Sequence, residues 1–180
     1  MSIEELAVSR FYDSRLLSFY RDGRFRAAVK LSKVRTGDRV LDFGCYNQRL
    51  KLFLPYGVEY FGCDKNQEFS NVKNWKKLKD VDMVFAMAVL EHLSEKELDE
   101  IVKRFSLMGV ETIVAEFPWE DNSVNRFFCW LFGLSFEHHL THLSGWKAIA
   151  NALGKSYECI EYRHLFWVTW VTVWKPKAKI

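Results

Sequence analysis

The sequence predicts one α/β domain with three layers: a mostly parallel sheet covered by helices on both faces. Three observations lead there. Short β-rich runs alternate with helical patterns as far as residue 117, a β-α-β layout occupies Arg39 to Asp64, and two apolar β-rich runs close the chain. A length of 180 residues suits one domain with a single core. The expected division is a helical segment over 1–35, a ligand-binding half over 36–117, and helices plus a β-hairpin over 118–180.

Taken in order, Ser2 and Glu5 have capping-box spacing, and Ser14 to Leu31 places Leu17, Tyr20 and Ala28 on one helical face. Thr36-Gly37-Asp38 breaks that helix. Val40, Leu41 and Phe43 form a first strand, and Gly44 lets the backbone turn sharply and approach a ligand without a Cβ in the way. Gln48 to Leu54 then reads as a helix stopped by Pro55, and Val58 to Cys63 as the next strand. A short lysine-rich connection, tight for a further strand and helix, leads to the strand beginning at Asp82. Ser94 and Glu97 open the clearest helix, with Leu98, Ile101, Val102 and Phe105 as its apolar stripe and Gly109 as its stop. Glu111 to Phe117 is another strand.

Beyond it the pattern changes. Phe127 to Phe136 is apolar all round, Ser144 to Leu153 reads as a helix closed by Gly154, and Tyr157 to Tyr162 and Leu165 to Trp174 read as strands joined near Arg163-His164. In the last run Phe166, Val168, Trp170 and Trp174 share one face, while Leu165, Trp167, Val171 and Val173 share the other. A strand covered on both sides is expected there.

Ligands of an open α/β sheet bind at the carboxyl ends of its strands, which collects Asp42, Gly44, Cys45, Tyr46, Asp64, Ala86 and Met87 on one edge. Asp64, at the tip of the second strand, is placed to accept hydrogen bonds from two ribose hydroxyls. The plainer alternatives are a turn cap for Asp64 and a core position for Met87.

In combination, VLDFGC, the Asp64 strand tip and VLEHL resemble the class I S-adenosylmethionine-dependent methyltransferases, particularly the small-molecule group called type 11. The likeness runs from about Arg39 to the C-terminus and departs at the glycine loop, where Tyr46 and Gln48 stand in place of later glycines. It implies a Rossmann-like sheet of seven strands, or six, whose last strand is inserted antiparallel. It also implies S-adenosylmethionine as cofactor and S-adenosylhomocysteine as product. Gly44 and Cys45 would border the methionine part, Asp64 would hold the ribose, and Lys65 and Asn66 would flank the adenosine. Asp42 would orient the loop by accepting its amide hydrogens, and Met87 would pack on the adenine or the methionine chain. Residues 36–117 then form the cofactor half and 118–180 the substrate side.

Methyl transfer is an in-line displacement in which positioning supplies much of the catalysis. A base is needed when the nucleophile bears a proton, and His92 has the chemistry for it, unless the Glu91-His92 pair only braces the next helix. Tyr12 and Arg26 would close over the cofactor, or serve as core and surface residues. His138 and His142, in FEHHLTHLSGW, would share a face if helical. No third ligand stands at zinc-like spacing, so we expect no metal, and substrate contact or base catalysis is the role assigned to them.

Composition narrows the partners. The formal charge is +3, from 26 basic and 23 acidic residues, and the tip at Ala86-Met87 lacks an Asn-Pro-Pro-aromatic sequence, so nucleic acid is disfavoured against a small-molecule acceptor. The apolar run with Trp130 points to an apolar or lipid-linked acceptor and peripheral membrane contact, or else to a buried helix or a homodimer interface rather than a monomer. Its span of about ten residues is roughly half a membrane-crossing helix. Four cysteines without C-x-x-C spacing, and an amphipathic, acidic start, suggest a reduced cytoplasmic protein. Two rival readings remain: a methyltransferase fold used for binding without catalysis, motivated by Tyr46 and Gln48, and a nicotinamide-dependent oxidoreductase, whose pyrophosphate would want more glycine-lined amides.

Overall fold

The computed structural model describes residues 15–117, 123, 126, 127, 145–165 and 169–178. In chain order the elements are α1 (Arg15–Ser32), β1 (Arg39–Phe43), β2 (Glu59–Cys63), β3 (Met83–Ala86), α2 (Glu95–Leu107), β4 (Thr112–Glu116), α3 (Trp146–Gly154), β5 (Tyr157–Leu165) and β6 (Thr169–Pro176). Short 3-10 turns occupy Arg49–Leu52, Trp75–Lys77 and Leu90–His92.

All six strands join one sheet in the order β2-β1-β3-β4-β6-β5. β1 to β4 are parallel, and β6 enters antiparallel between β4 and β5, as expected of the closing strand. β4 is buried along its whole length and β6 over Val171 to Trp174, which explains why both faces of these runs are apolar. One core lies under α2 and α3, built from Leu98, Val102, Phe105, Ile149 and Leu153 against Leu41, Val84 and Ile113. The other lies under α1, where Ala27 and Ala28 meet Val40, Phe85 and Val114. Each fully buried large side chain of this kind contributes about 1.5–3 kcal/mol.

α2 begins as the sequence suggests: Ser94 Oγ accepts the Glu97 amide, and the Glu97 carboxylate accepts the Ser94 amide at 2.8 Å. Gly109, at φ 76°, ends it.

Two expectations are corrected and two are made definite. No helix forms over Gln48 to Leu54; Gln48 takes a left-handed φ of 55°, and Pro55 leaves room only for the 3-10 turn Arg49–Leu52. The sheet has six strands, the smaller of the two numbers expected, because residues 65–82 hold no strand, and Asn71 and Val72 fold back on β2. There Gly62 N–H donates to Asn71 Oδ1 at 2.6 Å, Asn71 Nδ2 donates to Tyr60 O at 3.2 Å, and the Asn71 amide donates to Gly62 O at 3.0 Å. Arg163 and His164 do not form the hairpin turn but pair with Val171 and Trp170 inside the ladder, which continues to Leu165 and Thr169. α3 ends at Gly154, as expected, with no left-handed turn there. The Ser2-Glu5 box, Trp130 and most of 127–136 lie outside the described residues.

Candidate functional site

The carboxyl ends of β1, β2, β3 and β4 form one edge, as the parallel order requires. At the end of β1 the chain passes through Gly44 at φ 79°. The amides of Gly44 and Cys45 both donate to Cys63 O, at 2.8 and 3.0 Å, tying the turn to β2. A Cβ on Gly44 would sit 2.5 Å from Val89 Cγ2, so the space that glycine opens is filled by the Val89 side chain. Ala88 just before it is left-handed, at φ 53°.

Asp64 stands at the end of β2, half-buried. Its Oδ2 accepts the Tyr46 amide and its Oδ1 the Asn66 amide, each at 2.9 Å. A carboxylate has about four acceptor positions, so each oxygen keeps capacity for another donor. The Tyr46 ring meets Phe69 edge-on at 4.9 Å, and Gln48 Nε2 donates to Phe69 O at 2.7 Å. Lys65 and Asn66 are exposed beside them.

Asp42 does not take the loop amides. It is 3% exposed and accepts the Tyr60 hydroxyl at 2.7 Å. Burial pushes its carboxyl up to about 7 against the lowering effect of the Tyr60 hydrogen bond, and the charge of Asp64 adds to the rise. The loop-orienting acceptor expected of Asp42 is therefore Asp64. Burial likewise pushes the Cys45 and Cys63 thiols up to about 12. Ala86 and Met87 are buried, and Met87 packs in the α1 core with Phe85, the plainer of its two readings.

At the ends of β3 and β4 lies a group that sequence reasoning missed. Arg24 Nη1, from α1, donates to Glu116 Oε1 at 2.6 Å, with both side chains buried. Glu91, in the turn after β3, is 4% exposed, and its Oε2 and Glu116 Oε2 are buried without hydrogen-bond partners. Burial raises the Glu91 carboxyl to about 8; a hydrogen bond to its own backbone opposes this, the Glu116 charge adds to it, and Arg24 lowers it. At neutral pH Glu91 is thus held as the protonated acid beside the Arg24–Glu116 ion pair. The available signal was a pair of acidic residues at the tips of apolar runs, VLEHL and IVAEF. His92 is exposed on the same turn. Arg26 lies over the Phe53 ring, 5.6 Å from its centre. Tyr12, His138 and His142 lie outside the described residues.

Tested against S-adenosylmethionine, the edge fits at its ribose end, where Asp64 retains acceptor capacity. At the methionine end the Val89 side chain fills the space over Gly44.

No protein-family model matches the chain. No curated protein sequence matches it either. Solved structures do. Protein PH0226 from Pyrococcus horikoshii OT3 is similar at 17% identity over 92% of this chain and 93% of that one, with a TM-score of 0.67. Magnesium protoporphyrin IX methyltransferase from Synechocystis PCC 6803, with bound S-adenosylhomocysteine, is similar at 15% identity over 98% of this chain and 95% of that one, with a TM-score of 0.66. A small RNA methyltransferase is similar at 19% identity and a TM-score of 0.59 over 88% of this chain, which spans 25% of that one. At such identities the likeness shows the fold, and this chain has the class I methyltransferase fold.

Proposed function

We propose that this chain is an S-adenosylmethionine-dependent methyltransferase that moves a methyl group to an oxygen, nitrogen or carbon of a small, apolar acceptor. One observation carries the reading: Asp64, at the carboxyl end of β2 beside the Gly44 turn, has two oxygens already ordered by backbone amides and still able to accept. The cofactor would supply an electrophilic sulfonium methyl. The chain supplies the rest. Asp64 takes the ribose diol, Lys65 and Asn66 border the adenosine, and Gly44 and Cys45 line the methionine path, with Ala86 and Met87 behind them. Cys45 and Cys63 stay protonated at neutral pH, which keeps two poor nucleophiles, rather than thiolates, beside a reactive methyl group.

At the acceptor end, Arg24, Glu116 and protonated Glu91 sum to no net charge, which suits an uncharged acceptor. His92 is assigned the proton of an O–H or N–H nucleophile, with His138 or His142 as the other bases. We place the protein in the cytoplasm, as a monomer or homodimer. Among the described residues no helix is long and apolar enough to cross a membrane.

A second reading, binding without catalysis, is favoured by one observation, the Val89 side chain over Gly44. A nicotinamide enzyme is disfavoured, because β1 is followed by one 3-10 turn and not by a helix whose N-terminus could meet a pyrophosphate.

Calorimetric titration with S-adenosylmethionine and S-adenosylhomocysteine separates these readings, with Asp64→Ala alongside and NADH as control. Micromolar binding, lost in the variant and absent for NADH, is expected. Heats indistinguishable from dilution at millimolar cofactor would leave the binding role standing instead.

A further inference from the structure

Between α3 and the C-terminal hairpin the structure holds a pocket of about 390 Å³, within the size range of small-molecule sites. Its walls are mostly rings: Trp146 from α3, Tyr162 from β5, Trp170 and Trp174 from β6, and Phe117 just past β4. Two of them remain in solvent, Trp146 at 53% and Tyr162 at 65% exposure. Rings left wet at the mouth of a concave site are unusual in a core and common where a ligand docks.

Three polar side chains of the walls are already engaged. Thr172 Oγ1 donates to Ala115 O at 2.9 Å and accepts the Trp174 indole N–H at 2.8 Å, and Cys159 Sγ donates to Glu161 O at 3.6 Å. Among the described residues no charged side chain lines the pocket. A phosphate would find no cation to pair with and an ammonium no carboxylate among these residues, which leaves ring stacking as the main contact. Behind Trp170 the His164 ring is stacked at 4.3 Å and 9°, and its Nε2 is buried without a partner, one acceptor or donor beside an otherwise apolar wall.

We propose that this pocket is a binding site for a planar, uncharged aromatic group. Its β6 wall lies four strands from the strand that carries Asp64, roughly 20 Å away by strand spacing, so its occupancy does not depend on the ribose contact or on the methyltransferase reading.

The test uses the full chain and N-phenyl-1-naphthylamine, an uncharged probe whose emission rises when it leaves water. Saturable one-site binding is expected, weakened about tenfold or more by Trp146→Ala and by Ala150→Trp, which fills the pocket. Tyr56→Ala, at a ring 97% exposed elsewhere, should leave binding unchanged, as should Asp64→Ala even while it abolishes binding of S-adenosylhomocysteine. The bound probe should also slow alkylation of the Cys159 thiol, read at that residue by peptide mass. Circular dichroism confirms that each variant is folded. No binding by the wild type, or equal binding by Trp146→Ala, would overturn the proposal. An anionic naphthalene sulfonate binding as tightly would overturn the uncharged class.

Discussion

Replacing Glu91 with glutamine should change how stability depends on pH, in a direction that its burial dictates. The folded state holds the Glu91 proton up to about pH 8, whereas the unfolded chain releases it near 4.5. Between those values the native state binds more protons than the unfolded one, so the stability present below the lower value is lost as pH rises through the upper. Each unit of separation is worth about 1.4 kcal/mol, giving a loss of about 5 kcal/mol across the window as an upper figure. Water entering around an ionised Glu91 would reduce it. Glutamine keeps the shape and polarity of the protonated acid and has no proton to lose. Urea unfolding followed by circular dichroism should therefore find Glu91→Gln and wild type nearly equal at about pH 5 and the variant clearly more stable at about pH 8. Asp42 titrates in the same direction in both chains, so its effect cancels in the comparison. Two stability curves that stay parallel across the range would refute the reasoning, because Glu91 would then be ionised in the folded state.

Two further outcomes follow from the same edge. Gly44→Ala places a Cβ against Val89 at a left-handed φ and should cost about 1–2 kcal/mol in urea midpoint and slope, with Val89→Ala restoring part of the loss and strengthening S-adenosylhomocysteine binding in calorimetry. Arg24→Met strands a buried carboxylate and should destabilise by about 3–5 kcal/mol, most of it recovered when Glu116→Gln is added; a double variant no more stable than the single would sink the ion-pair account.

Much of the fold was legible because its signals are local. The apolar runs of β1 to β4 and the Ser94-Glu97 box need only a few neighbouring residues to be recognised. The misread elements depend on backbone angles or distant partners. Tyr46 and Gln48 are both left-handed, at φ 41° and 55°, and nothing in their side chains announces a conformation that glycine would adopt freely. Arg163 and His164 look like turn residues, yet they continue an edge strand, where polar side chains are tolerated because one side is open. At the candidate site, Asp64 and Gly44 were visible from their places after strands. The Arg24-Glu116 pair was not, since its members lie 92 positions apart and each alone reads as a surface charge.

The fold-back of residues 65–72 also bears on how the protein behaves among copies of itself. In a sheet with a free outer strand, unpaired amides and carbonyls invite another chain to add a strand, the first step of edge-to-edge aggregation. Here the carboxamide of Asn71 meets the Gly62 amide and the Tyr60 carbonyl in the way a neighbouring backbone would. One side chain thus serves as a dummy strand, guarding that edge at small cost in chain length.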